Sequence, residues 1–231
     1  MDKIEVPARF DRVHKIFGDK FFEFSKVKIL LLGVGGVGSF CLDCLYRSGI
    51  QNITIVDFDT YDETNQNRQL ESEKSENLEQ FKVEVLAKKY PEISFINAKI
   101  DLDWVQNFDF GKFDFVLDAV DEVSVKVQLP ITINWINRTQ KRKIEFISSM
   151  GSAMKTDPTL IKITDIWKTK EDGLARKIRT ELRKKNFNKK YKVVFSEESP
   201  HGELKGSFMG VTASFGLVMC SAVLNKLTAL D

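Results

Sequence analysis

The run Ile29-Leu30-Leu31-Leu32-Gly33-Val34-Gly35-Gly36-Val37-Gly38 decides the fold of this chain. A short, unbroken apolar segment reads as a strand buried on both faces. The glycines behind it read as a tight turn into a helix, where backbone approaches phosphate and the helix N-terminus favours negative charge. Nineteen residues after Gly38 stands Asp57, in Ile55-Val56-Asp57-Phe58-Asp59. An acid about 20 residues beyond such a loop accepts hydrogen bonds from ribose hydroxyls. Gly33, Gly35, Gly36, Gly38 and Asp57 are therefore candidate nucleotide-binding residues, and Asp59 joins them as the residue that orients or caps the loop. Taken alone, these residues suggest a nicotinamide or flavin enzyme.

Outward from that core, the pattern predicts strands over 27–32, 53–57, 93–98, 113–117, 144–148 and 159–163. It predicts helices over 36–48, stopped by Gly49, over 81–90, stopped by Pro91, and over 123–139, where Pro130 is a break or kink. Strands alternating with helices imply an α/β fold, with a Rossmann-like, mostly parallel sheet, flanking helices and ligands at the carboxyl ends of the strands. The expected organisation is one domain over 1–231: a helical arm over 1–26, a nucleotide-binding core over 27–150, and a C-terminal extension over 151–231.

Composition narrows the function classes. The net charge is +2, so no global nucleic-acid signature exists and charge must be read locally. Three cysteines are too few for a disulfide framework and suggest a reducing, cytoplasmic compartment. Residues 1–12 carry charges without an apolar core, unlike a signal peptide. Only His14 and His201 are present, which disfavours histidine-rich metal sites.

After the second strand comes Asn65-Gln66-Asn67-Arg68-Gln69, and Lys82 opens the next helix. A cation at the mouth of a glycine-loop crevice suits phosphate oxygens, and both Arg68 and Lys82 are expected to be solvent-reachable. Asp121, after the strand ending at Leu117, is placed to hold Mg²⁺, a hard ion that takes one or two carboxylates plus phosphate oxygens. Asp118 reads either as a helix cap or as a site residue.

Together, Arg9-Phe10-Asp11-Arg12, Gly33 to Gly38, Asp57-Phe58-Asp59, Thr64-Asn65-Gln66-Asn67-Arg68-Gln69, Lys82-Val83-Glu84 and Asp118-Ala119-Val120-Asp121 resemble the ubiquitin-activating-enzyme-like superfamily. The resemblance implies ATP-dependent adenylation of a carboxylate. Asp57 would bind ribose, Asn65, Arg68 and Lys82 the triphosphate, and Asp121 Mg²⁺; Arg12 would reach the neighbouring subunit's site in a homodimer. The chain departs from the carrier-activating branch at Glu122, where Asn is common, and by one extra residue between Arg68 and Lys82. Carrier activators often hold zinc with two CxxC pairs. Here there is one such spacing, Cys41-Leu42-Asp43-Cys44, inside a helix, and no structural zinc is expected.

The C-terminal third, from Asp157-Pro158-Thr159-Leu160-Ile161 through Asp172-Gly173-Leu174-Ala175-Arg176 to Val193-Val194-Phe195-Ser196, is similar to the tRNA threonylcarbamoyladenosine dehydratases. That resemblance implies a tRNA substrate whose threonyl carboxylate is adenylated and then attacked from within the same group, closing a ring with loss of AMP. It also suggests a sulfur-transfer or cysteine-desulfurase-type partner. The alternatives are adenylation of a sulfur-carrier protein's C-terminal glycine and a non-catalytic nucleotide-binding module. Residues 168–192 carry eleven Lys or Arg against three Asp or Glu. They read either as a solvated face or as an RNA contact in which Arg176, Lys177, Arg183, Lys184, Lys185, Lys189 and Lys190 meet phosphates. Phe187 and Tyr191 would stack on a base or anchor the segment. Residues 206–225 carry no charge and read as a buried helix; membrane association between Lys205 and Lys226 is the lesser alternative.

Overall fold

β1 (Ile29–Leu32) is buried over its whole length because helices cover both faces of its sheet. Ile29 and Leu31 point into one apolar layer, Leu30 and Leu32 into the other. The computed structural model describes residues 5–202 and 204–229. Its sheet adds β2 (Ile53–Asp57), β3 (Ser94–Asn97), β4 (Phe115–Asp118), β5 (Glu145–Ser149), β6 (Ile161–Asp165) and β7 (Lys192–Ser196). Their order is β3-β2-β1-β4-β5-β7-β6, with every neighbouring pair parallel except the edge strand β6, which is antiparallel to β7. The strand order reverses between β1 and β4, and an open α/β sheet leaves its ligand crevice at that point.

Seven α-helices accompany the sheet among the described residues: α1 (Asp11–Phe17), α2 (Gly38–Arg47), α3 (Lys82–Lys89), α4 (Leu102–Asn107), α5 (Val123–Thr139), α6 (Gly173–Lys184) and α7 (Met209–Thr228). The described part of the N-terminal arm, from residue 5, is α1 between two 3-10 segments, and its Phe10, Phe21 and Phe24 pack into the layer of α2 and α7. Residues 1–4 lie outside the described part. α5 runs unbroken through Pro130, so the expected break there is absent. Val125, Leu129, Ile133 and Ile136 hold it on the sheet, and that packing overrides the missing amide.

Two sequence readings shift in register. The strand expected over 113–117 lies at Phe115–Asp118, and the one expected over 159–163 at Ile161–Asp165, after a 3-10 turn capped by Asp157. The apolar segment after residue 206 is the buried helix α7, which lies along α2. The crossing is close enough that a Cβ on Gly216 would stand 2.3 Å from the Val37 carbonyl. The C-terminal extension therefore buttresses the helix that follows the glycine loop.

Candidate nucleotide site

A cleft of about 1210 Å³ opens at the carboxyl ends of β1 to β5. Every strand turn there contributes: the glycine loop after β1, residues 57–69 after β2, 99–103 after β3, 119–124 after β4 and 152–153 after β5, with Thr212 of α7 closing one wall.

The glycine loop is held by Asp57. Its Oδ2 accepts from the Val34 amide at 2.8 Å and its Oδ1 from the Asp59 amide at 2.9 Å. Burial raises the Asp57 pKa, and the two amides oppose that rise. Asp57 thus staples two turns of the cleft floor and leaves its remaining lone pairs for a ligand. At Gly38 a Cβ would stand 1.9 Å from the Gly33 carbonyl oxygen, so the loop closes only around a glycine.

The crossover from β2 to α3 is long, but it is pinned. Tyr61 is buried and donates to the Leu70 carbonyl at 2.7 Å; Asn77 donates to the Glu71 carbonyl at 2.8 Å. Asp62 caps a 3-10 turn, Glu63–Asn65. This frame delivers Asn65, Arg68 and Gln69 to the cleft wall. Asn65 and Gln69 are both buried, and their amide oxygens have no partner among the described residues. Two orphaned buried acceptors in one polar cleft fit a ligand rich in hydroxyl and amino donors, which a nucleotide supplies. Gln69 is a site residue to which the sequence alone assigns no role; its spacing one turn beyond Asn65 is the signal that marks it. Arg68 is anchored through Nη1 to the Thr64 carbonyl at 2.7 Å and to Asn67 Oδ1 at 2.8 Å.

Lys82 departs from expectation. Its side chain is only 5% exposed, not solvent-reachable, and its Nζ pairs at 3.0 Å with Asp59, whose side chain is 50% exposed. Asp59 is therefore the counter-ion of Lys82. The neighbouring backbone supplies the reason: the Lys82 amide donates to the Asp59 carbonyl, which draws the start of α3 onto the β2 turn.

Behind the switch point lies a second, sealed pair. Asp118 and Lys126 have side-chain exposures of 0% and 1% and meet at 3.0 Å. Lys126 also donates to the Ser149 carbonyl at 2.6 Å and to Ser148 Oγ at 3.3 Å, while Asp118 accepts from the Val120 amide at 3.1 Å. The reading of Asp118 as a helix cap is overturned. Glu122 caps α5, and Asp118 is too deep to reach that terminus. Lys126 escapes sequence reasoning because a lysine in an apolar helix carries no mark of its buried partner. The network fixes the turn that presents Asp121.

Most other cleft carboxylates are engaged: Asp57, Asp62, Asp101 and Glu122 accept backbone amides, Asp59 holds Lys82, and Asp103 accepts from Asn107. Asp121 lines the cleft, is exposed, and has no hydrogen-bond or ion-pair partner among the described residues. A single uncommitted carboxylate beside a phosphate-binding loop fits the donor set of Mg²⁺, which takes one or two carboxylates and completes its shell with phosphate and water. No Cys or His lines the cleft among the described residues.

The remaining candidates lie elsewhere. Arg12 is exposed on α1 and does not line its own chain's cleft. Phe187 is buried with α6 and β7, and the Tyr191 ring packs on Phe146 at 5.3 Å, so both anchor the segment. Cys41 is buried in α2 against the α7 layer, with Cys44 partly exposed beside it.

Comparison with known proteins gives a consistent result. The ThiF family model matches residues 12–230. A Bacillus subtilis protein named tRNA threonylcarbamoyladenosine dehydratase is 42% identical over 179 residues, covering 74% of this chain and 67% of that protein. Its Haemophilus influenzae namesake is 30% identical, covering 97% of both chains. The Escherichia coli tRNA N6-threonylcarbamoyladenosine dehydratase, solved in complex with ATP, superposes with a TM-score of 0.85 at 33% identity, covering 96% of this chain and 94% of that one.

Proposed function

The chain belongs to the ThiF family, and we propose that it is a tRNA threonylcarbamoyladenosine dehydratase that uses ATP to activate the carboxylate it cyclises. The observation that carries this reading is the cleft itself. A glycine loop, two cations (Arg68 and Lys82) and one uncommitted carboxylate (Asp121) converge in a fold shared with the Escherichia coli enzyme that was solved with ATP.

The chemistry follows from the residues. A carboxylate is a poor electrophile; joining it to the α-phosphate of ATP, with loss of pyrophosphate, gives it AMP as a leaving group. Gly33, Gly35, Gly36 and Gly38 let backbone amides face the phosphates, Asp57 faces the ribose, and Asn65, Arg68 and Lys82 face the triphosphate, where the two cations stabilise charge that develops on the departing pyrophosphate. Asp121 would hold Mg²⁺, which neutralises triphosphate charge when bound. A nucleophile within the same threonylcarbamoyl group then attacks the activated carbonyl and AMP leaves. That atom is already adjacent, so proximity replaces an enzymic thiol, consistent with a cleft lined by neither Cys nor His among the described residues. ATP hydrolysis to AMP and pyrophosphate thereby balances the net loss of water.

Arg12 enters through a homodimer: exposed on α1 and outside the lining of its own cleft, it would serve the partner's. A tRNA substrate implies a cytoplasmic enzyme. The test is to incubate the protein with ATP, Mg²⁺ and tRNA containing threonylcarbamoyladenosine, then weigh the nucleosides. Loss of one water from that nucleoside is expected; an unchanged nucleoside with ATP consumed, or no reaction, refutes the reading. Mixing Arg12→Ala with Arg68→Ala protomers, each inactive alone, should restore one complete site per heterodimer. Full activity from a monomer rules out the shared site.

A further inference from the structure

A second cleft, of about 610 Å³, lies at the opposite end of β5, bordered by α5, the first residues of β5 and β7, the last residues of β6 and the loop before β7. Two chain segments meet there that are far apart in sequence. The α5–β5 loop, whose two ends Asn137 and Ile144 line the cleft, carries Arg138, Lys141, Arg142 and Lys143; the α6–β7 connection lines it with Lys189, Lys190 and Lys192. All are exposed, and none has an ion-pair partner among the described residues. Lys184, at the end of α6, is paired instead with Glu181. The two acids on the cleft wall are already engaged: Glu145 with Lys226 at 3.0 Å, and Asp165 with the Trp167 amide at 2.8 Å.

Elsewhere exposed cations are either paired with a carboxylate, as in Lys15–Asp11, Lys26–Glu23 and Arg47–Asp43, or stand singly, as Lys28 and Lys99 do; here they are crowded into two short segments. Crowded, unpaired cations repel one another, and a polyanion laid along them relieves that repulsion with release of counter-ions.

We propose that this basic cleft is a second RNA-docking surface, which grips the phosphate backbone of the tRNA away from the reacting nucleotide while that nucleotide occupies the ATP cleft. The proposal rests on tRNA being the substrate. It also joins the α5–β5 loop to the lysine-rich segment before β7 as one surface, a pairing that only the fold creates.

The test uses the full chain and unfractionated tRNA. Lys189→Gln, Lys190→Gln and Lys192→Gln are combined in one variant, Arg138→Gln, Lys141→Gln, Arg142→Gln and Lys143→Gln in another. Each should lower the slope of log affinity against log salt by roughly 0.7–0.9 for every phosphate no longer neutralised. ATP affinity and the melting temperature should stay at the wild-type level, which also shows that the variants are folded. In unmodified protein, tRNA should protect Lys189, Lys190 and Lys192 from acetylation, and ATP alone should not. If wild type dehydrates tRNA while both variants keep its salt slope, or if tRNA leaves the three lysines reactive, the docking surface is refuted and the proposed function stands. If wild type neither binds nor dehydrates tRNA, the proposed function fails first.

Discussion

Two lysine–aspartate pairs, Lys82–Asp59 and Lys126–Asp118, close at the same distance of 3.0 Å, and the likeness ends there. In the sealed pair both side chains are at or below 1% exposure, and two serines satisfy the remaining lysine hydrogens. In the rim pair the lysine is buried but its aspartate is half in water. A buried pair is costly to break because a bare charge is left without solvent. A half-exposed carboxylate is easily returned to water, so Asp59 can give up Lys82 to a phosphate. The difference separates a clamp that shapes the site from a cation held ready for exchange.

The largest effect expected from breaking this comparison is on the clamp. Lys126→Ala leaves Asp118 buried without a counter-ion and should destabilise the fold by about 3–5 kcal/mol. Thermal unfolding checks this, and the double variant Lys126→Met with Asp118→Leu should recover much of the loss. If Lys126→Ala alone melts like wild type, the pair is not a clamp.

Lys82→Ala should act the other way round. Turnover should fall by about two orders of magnitude or more, as when a preorganised donor to a developing charge is removed, with a much smaller change in melting. Arg68→Ala should behave alike. Wild-type ATP–pyrophosphate exchange in either variant removes that residue from the chemistry.

Asp121→Asn should sharpen the contrast between engaged and uncommitted carboxylates. About a tenfold loss is expected at limiting Mg²⁺, shrinking as Mg²⁺ is raised, because the amide keeps the shape but loses the charge that attracts the ion. A Mg²⁺-independent loss would make Asp121 a structural residue.

The smallest effect belongs to Asp59→Asn. The variant leaves the buried Lys82 without a counter-ion, but the amide oxygen still accepts its hydrogen bond at a half-exposed position, so the stability loss should be smaller than that of Lys126→Ala. A loss as large as that of Lys126→Ala would erase the distinction between the two pairs.

The parallel core is legible in the sequence because β1 and β2 carry their own signal: continuous apolar runs, a glycine turn and an acid at the expected spacing. Ile53–Asp57 matches its expected bounds to the residue. β7 is hidden, since Val193-Val194-Phe195 is short and follows a lysine-rich run that dominates its window. α4 is hidden for a similar reason, having a single fully buried residue, Val105. In the site, spacing points to Asp57, position after a strand to Arg68 and Asp121, and the family resemblance to Asn65, and all four line the cleft. The seclusion of Lys82 and the Asp118–Lys126 clamp are not legible, because a buried charge is recognised only through a partner brought near by folding. The basic cleft is the same kind of case: its two loops are separated in sequence by β5, β6 and α6.

The central claim, that this cleft links ATP cleavage to ring closure on tRNA, is tested most directly by counting products in a single turnover. With α-labelled ATP and tRNA containing threonylcarbamoyladenosine, one AMP should form for each nucleoside that loses water, and none with tRNA lacking the modification. Ring closure without AMP, or release of ADP in its place, would contradict the account.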